Sequence, residues 1–244
     1  KAGGVEGLLT MLTDRIDAGL LDQGPDLTVV SNMAVGFDNI DVPEATRRGV
    51  AVCNTPGVLT DTTADFAWAL LMAVARRVVE CHSFVLDGRW EWWGPKMFMG
   101  ADVYGKTLGI VGFGKIGQAV ARRAKGFDME VLYSGDSAPE TSQWGRKVSF
   151  EELLKSSDFI SLHVPYRSST HHLIGREQLH LMKKTSFLIN TARGAIVETD
   201  ALVNALKDGT LAGAAMDVLE GEGVNLVKGV SFDNPVVSLR TWAN

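Results

Sequence analysis

Cysteine is nearly missing from this chain. Cys53 and Cys81 are the two in 244 residues, and their spacing matches no metal knuckle or redox pair. A disulfide between them stays open, but so sparse a content fits a reducing compartment, and a cytoplasmic location is expected. Long apolar runs are missing too. The longest, Phe66 to Ala75, falls short of the roughly 20 residues a spanning helix needs, so no membrane partner is expected. Blocks of positive charge are absent: no basic run exceeds a pair such as Arg47–Arg48 or Arg122–Arg123, and the net charge is −5. That balance argues against nucleic acid as a main partner. The opening "KAGGVEGLLT" has neither the apolar core of a signal peptide nor an initiator Met, so the beginning reads as trimmed.

What is present is an ordinary globular composition, 45% hydrophobic and 22% charged, with length for one large or two small domains. Short apolar runs alternate with helical patterns. "GLLT" (7–10), "LTVVSNM" (27–33) and "GVAVCNT" (49–55) read as strands. Ala64, Ala67, Trp68, Leu71, Val74, Ala75 and Val78 then recur at helical spacing and predict one long amphipathic helix over 62–79, with Thr62 and Asp65 as a capping box. The connector "GRWEWWGPKMFMGADVYG" follows and marks a boundary near residue 100. Beyond it strands and helices alternate regularly: "KTLGIVGFG", "MEVLYS", "DFISLHVP", "TSFLINTA" and "LAGAAMDV" are strands, and a Ser149–Glu152 capping box opens one of the helices between them. Strands separated by helices imply βαβ units and a buried parallel sheet.

Gly112, Gly114 and Gly117 stand in G-x-G-x-x-G spacing, after an apolar strand and at the opening of a helix. The first permits a tight turn, the second lets backbone approach a pyrophosphate, and the third lets helix and strand pack closely. The phosphates would rest on the helix start at Lys115 and Ile116, where backbone N–H groups are unpaired. Asp136 stands 19 residues after Gly117, near the place of the acid that bonds a ribose 2′-hydroxyl, and no arginine adjoins it. NAD is therefore favoured, with NADP as the alternative. The competing reading of Asp136 is a solvated turn residue.

The stretches "SNMAVGFDNIDVPEATRRGVAVCNTPGVLTDTTADFAWALLM", "GKTLGIVGFGKIGQAVARR", "SDFISLHVPYRSSTHHLIG" and "FLINTARGAIVETDALVNALKDGTLAGAAMDV" resemble the dehydrogenases specific for D-isomers of 2-hydroxy acids. Within that family, "LTDTTAD" and "WEWW" resemble the glyoxylate and hydroxypyruvate reductases. The resemblance implies an α/β protein. A doubly wound parallel (Rossmann) NAD(P)-binding domain would cover 101–244, C-terminally incomplete, and a flavodoxin-like α/β substrate domain would cover 1–100, N-terminally incomplete. It implies that Arg193 binds the carboxylate of a small 2-keto acid and polarises its carbonyl, as a guanidinium fork suits. The backbone amides of Val35 and Gly36 match a second carboxylate contact. Thr63, His163, Val164, Pro165, Thr170, Thr191, Ala192 and Asp217 match positions around the nicotinamide and its ribose. The site would lie at the carboxyl ends of the strands. A homodimer is expected. The competing readings are a surface arginine for Arg193 and a packed core histidine for His163. His171, His172 and His180 read as solvated, and no metal site is expected.

One family feature has no counterpart. Reduction needs a proton as well as a hydride, and the family supplies it from a histidine held by a glutamate. Glu222 matches the glutamate, but Arg240 and Thr241 stand where the histidine should, and no histidine follows His180. The family pattern also continues past the end with a returning helix, so the chain reads as truncated. Two functions are expected in competition: a 2-keto-acid reductase, impaired as it stands, or a catalytically inactive NAD(H)-binding sensor.

Overall fold

A computed structural model of the chain describes residues 3–221. It comprises two compact units, Lys1–Thr60 and Asp61–Asn244. The sequence places the boundary some forty residues later; the intervening stretch begins with a helix whose apolar face joins the second core. The apolar residues Val236, Val237 and Leu239 predict one more short strand, which lies outside the described residues.

In the first unit β1 (Gly7–Thr10), β2 (Val29–Asn32) and β3 (Ala51–Cys53) form a parallel three-stranded sheet in that order. Helices α1 (Ala18–Asp22) and α2 (Val42–Arg47) connect them. Each starts on an aspartate whose carboxylate accepts an otherwise unpaired helix N–H: Asp17 from Leu20 at 3.1 Å, Asp41 from Glu44 at 3.0 Å. The core is small, built on Ile16, Leu21, Leu27, Val30, Ile40, Ala45 and Val50. Buried Asn32 ends β2. Its Oδ1 accepts from the Thr10 hydroxyl and its Nδ2 donates to the Gly36 carbonyl, both at 2.9 Å, which shapes the loop after β2.

The second unit holds β4 (Thr107–Val111), β5 (Glu130–Ser134), β6 (Arg146–Lys147), β7 (Phe159–Leu162), β8 (Phe187–Asn190) and β9 (Gly213–Met216). They form one parallel sheet in the order β6-β5-β4-β7-β8-β9. Successive side chains serve opposite faces. Leu108, Ile110, Val131, Tyr133, Phe159, Phe187 and Ile189 pack under helices α3 (Thr60–Ala75) and α5 (Lys115–Ala124). Leu132, Ile160, Leu162 and Leu188 pack under α6 (Phe150–Ser156), α7 (Arg176–Leu181) and α8 (Thr199–Lys207). Helices on both faces are what make these strands nearly continuous apolar runs. The Ser149 hydroxyl caps α6, accepting from Glu152 N–H at 3.1 Å, but the Glu152 carboxylate accepts from Arg146 at 3.1 Å, so only half of the predicted capping box forms.

The helix predicted over 62–79 is two helices. α3 stops at Ala75 and α4 (Val78–Leu86) begins after Arg77, whose φ is 55°. The Ala75 carbonyl, which a continuing helix would need, accepts instead from Ala101 N–H at 2.8 Å. A side chain on Gly100 would collide with that carbonyl, so the returning chain can pass only as glycine. Trp68 of α3 donates its indole N–H to the Val120 carbonyl of α5 at 3.0 Å and stacks on Phe127 at 4.7 Å. These contacts are why α3 belongs to this unit. No helix among the described residues is long and apolar enough to cross a membrane.

Candidate functional site

Strand order reverses at β4: β5 and β6 lie to one side, β7, β8 and β9 to the other. Ligands of such sheets bind beyond the carboxyl ends of the strands at this switch. The pairing register sets those ends level, with Ser134, Val111, Leu162, Asn190 and Met216 in one row. Gly112, Gly135, His163, Thr191 and Asp217 therefore leave the sheet from one line. The motif residues that the sequence spreads over a hundred positions are brought to one edge.

Each glycine of the turn has a separate steric reason. Gly112 has φ 93°, and a Cβ there would lie 2.6–2.7 Å from the His163 carbonyl and Val164 nitrogen. Its N–H donates to the Ser134 carbonyl at 2.8 Å, which ties β4 to β5 at the turn. A Cβ on Gly117 would run into the Gly112 carbonyl oxygen, so only glycine lets α5 start this close to the strand. Gly114 has nothing within 4 Å of where its Cβ would be. It is the N-cap of α5 and supplies no capping side chain, so no side chain of the N-cap occupies the first N–H groups of the helix, at Lys115 and Ile116. Asp136 is exposed in the turn that follows β5.

His163 follows β7. Its Nε2 lies 2.8 Å from the hydroxyl of Ser161, a buried residue on the same face of the strand. Part of the residue reaches solvent, yet burial of the ring lowers its pKa from 6.5 to about 4. The ring is thus neutral at pH 7. Thr170 spends its hydroxyl inside the connector after β7. It accepts from Arg167 N–H at 2.8 Å and donates to the Pro165 carbonyl at 2.8 Å, so it shapes the chain at Val164–Pro165.

The loop after β8 holds Thr191, Ala192 and Arg193. Asn190, fully buried, forms it: Oδ1 accepts from Ala192 N–H at 3.0 Å and Nδ2 donates to the Arg193 carbonyl at 2.9 Å. Its own carbonyl accepts from Asp217 N–H at 2.9 Å, which fixes Asp217 beside the loop. Arg193 donates from Nη1 to the Ala192 carbonyl at 2.8 Å. The Thr191 hydroxyl is buried and has no hydrogen-bond partner among the described residues. A buried hydroxyl without a partner is costly, so a ligand atom is its natural complement. This orphan and the uncapped glycine turn fit a dinucleotide lying along the edge.

Sequence reasoning missed three features. Asn190 reads as an ordinary polar residue ending a strand, and its role shows only once the loop is folded. Ser161 likewise reads as a core serine. His172 is not the solvated residue expected: its Nε2 donates to Glu220 at 2.6 Å, and its ring stacks on His171 with centroids 3.9 Å apart. That partner is 48 residues away, and no local spacing announces it. His180 is exposed on α7, its Nδ1 donating to the Arg176 carbonyl at 2.7 Å. Thr63 occupies the first turn of α3, half-buried.

Val35 and Gly36 lie in the first unit. The carbonyls of Ala34, Val35 and Gly36 accept from Thr55 N–H, Asn54 Nδ2 and Asn32 Nδ2, all at 2.9 Å. The amides of Val35 and Gly36 have no partner among the described residues. Glu222, Arg240 and Thr241 lie outside the described residues.

A family model described as D-isomer specific 2-hydroxyacid dehydrogenase, NAD binding domain, matches residues 68–240. A glyoxylate reductase of Thermococcus gammatolerans is 54% identical over 229 residues, spanning 91% of this chain and 69% of that protein. The TT0316 protein of Thermus thermophilus superposes with a TM-score of 0.86 at 48% identity, over 91% of this chain and 70% of that one. A D-lactate dehydrogenase of Aquifex aeolicus, solved with NAD and lactic acid, superposes with a TM-score of 0.89 at 31% identity, over 100% of this chain and 74% of that one.

Proposed function

The chain belongs to the D-isomer specific 2-hydroxyacid dehydrogenases, NAD(P)-dependent oxidoreductases, and from this premise we propose that it reduces glyoxylate or hydroxypyruvate to the 2-hydroxy acid, of D configuration where the product is chiral. One observation carries the reading. The glycine turn, the orphaned Thr191 hydroxyl and the Arg193 loop all leave the same register line at the carboxyl edge of one sheet.

NADH, when held there, would supply a hydride for the carbonyl carbon. The chain binds, orients and polarises. Gly112 to Gly117, with the amides of Lys115 and Ile116, take the pyrophosphate. Asp136 takes the ribose 2′-hydroxyl, so NADH is preferred to NADPH, whose 2′-phosphate the carboxylate would repel. Thr63, Val164, Pro165, Thr170, Thr191, Ala192 and Asp217 surround the nicotinamide end. Arg193 forks onto the substrate carboxylate and draws charge toward the carbonyl oxygen as it becomes an alkoxide. The partnerless amides of Val35 and Gly36 are proposed as further carboxylate contacts, and Glu222 as the carboxylate that would hold a proton donor; with Arg240 and Thr241 where a histidine is expected, the alkoxide takes its proton from water. His163, neutral at pH 7, carries no imidazolium proton to give.

A homodimer is part of the proposal. α4 has no buried residue although it carries Val78, Val79, Phe84, Val85 and Leu86, and Trp92 and Trp93 beside it are exposed. Apolar surface of this kind marks an interface.

Arg240 and Thr241, at the spacing where the resemblance places a histidine, favour a second reading, an NAD(H)-binding protein without turnover. Oxidation of NADH with glyoxylate, hydroxypyruvate and pyruvate, run beside a fluorescence titration of NADH, separates the two. Substrate-dependent turnover supports the reductase. Cofactor binding with a rate equal to buffer leaves the second reading.

A further inference from the structure

We propose that His172 and Glu220 form a clasp that holds the Arg193 loop at its working position, which makes both of them positioning residues. The proposal rests on the reading of Arg193 as the carboxylate contact.

Three segments distant in sequence meet at the clasp: the connector after β7, the loop after β8 and the segment after β9. The first two run together as a short ladder. His172 N–H donates to the Ala195 carbonyl at 2.9 Å, Ile174 N–H to the Ile196 carbonyl at 3.0 Å, and Glu198 N–H to the Ile174 carbonyl at 3.0 Å. The third lies on Gly194, the neighbour of Arg193. A Cβ at Gly194 would collide with the Leu219–Glu220 peptide, so backbone rests directly on backbone there.

The Glu220 carboxylate joins all three. Oε1 accepts from His172 Nε2 at 2.6 Å, and Oε2 accepts from the Thr199 hydroxyl at 2.7 Å and the Thr199 N–H at 3.3 Å. Thr199 is the first residue of α8, so the same carboxylate satisfies an unpaired helix N–H just past the loop. Burial pushes the Glu220 carboxyl up, but the bonds from His172 and Thr199 outweigh it and hold it below its ordinary value. The carboxylate is therefore charged, and a carboxylate only accepts, so the His172 proton must sit on Nε2.

His172 itself is held. Its φ of 50° is uncommon for a residue with a Cβ. His171 stacks on it, and the Tyr166 hydroxyl lies 3.3 Å from His171 Nδ1. A ring fixed in this way sets the height of Glu220, and Glu220 sets the segment that presses on Gly194. A guanidinium meant to fork onto a carboxylate tolerates misplacement of only about half an ångström. Asn190 fixes the loop from the strand side, and the clasp fixes it from the other.

The test compares the chain with His172→Ala, His172→Gln and Glu220→Gln, using three readouts. Amide hydrogen exchange is followed over 193–198, oxalate binding is titrated with NADH present, and NADH binding is titrated alone. For His172→Ala, exchange over 193–198 should rise about tenfold, as local opening becomes easier. Oxalate should bind about tenfold more weakly, roughly the worth of one misaligned charge-assisted contact. NADH affinity should stay within about twofold, because the glycine turn is untouched. His172→Gln, whose amide can still donate to Glu220, should restore both losses. If His172→Ala does not fold, Glu220→Gln carries the same expectations at smaller amplitude. Unchanged exchange and unchanged oxalate affinity overturn the clasp. Parallel loss of NADH and oxalate binding, or no rescue by glutamine, overturns positioning in favour of general support. If the unaltered chain takes no oxalate, the reading of Arg193 fails, and exchange alone decides the clasp.

Discussion

Replacing Arg193 with glutamine removes a charged fork while leaving the length and backbone of its loop in place. Loss of a charge-assisted contact of this kind is worth roughly 1.5–3 kcal/mol, so oxalate should bind about 10–100-fold more weakly. NADH affinity should be nearly unchanged, and a collapse of NADH binding with oxalate retained would assign Arg193 to the cofactor instead. At the other end of the edge, Asp136→Arg should turn a preference for NADH into one for NADPH; equal affinities in the unaltered chain would remove Asp136 from the ribose. His163 makes a prediction about pH. Its folded pKa, about 4, lies below the ordinary 6.5, so the unfolded chain binds the extra proton between those values. Its contribution to stability is full above 6.5 and is lost as pH falls toward 4. Allowing for its partial exposure, the loss is on the order of 2 kcal/mol. Urea melts of the chain and of His163→Gln across this range should diverge by about that much, and parallel curves would show that the ring titrates normally. The motif residues were legible because glycine spacing and an arginine after a strand carry their chemistry locally. The neutrality of His163 was not, because burial is set by neighbours from other elements.

The turn from β4 into α5 separates two kinds of glycine. Gly114→Ala meets nothing of the protein within 4 Å, so the melting temperature should hold. The new methyl would occupy the space offered to the pyrophosphate, and NADH affinity should fall by about tenfold or more, the scale of losing a good hydrogen bond to a charge. Gly112→Ala should lose both. Its φ is 93° and its Cβ would press on the His163 carbonyl, so the turn itself must deform. A Gly114→Ala chain that binds NADH normally would mean that the phosphates do not lie on this helix. The strands of the second unit could be read from sequence because burial on both faces makes them plain apolar runs. The two-residue β6 carries no such run. The break at Ala75–Val78 was hidden because the apolar spacing continues through it; what ends the helix is a hydrogen bond from Ala101.

At the scale of the whole molecule, the apolar side chains of α4 and the tryptophans beside it predict self-association. Sedimentation should find a dimer, and Val79→Glu with Trp92→Glu should leave a monomer that still binds NADH. A monomeric unaltered chain would assign this surface to another partner. The unit boundary shows the same dependence on packing: composition changes most sharply at the Trp-rich connector, but α3 belongs with the helices it touches.

The sequence by itself determined the alternation of strand and helix, the glycine turn, the arginine after β8 and the family, because each depends on spacing within a few residues or on composition along a segment. The tertiary structure decided which of these meet. The level row of strand ends, Asn190 beneath the Arg193 loop, the orphaned Thr191 hydroxyl and the His172–Glu220 pair all arise from register and from contacts between residues far apart in the chain. Such contacts leave no periodic trace, because the side chains that make them are placed by different elements of the fold.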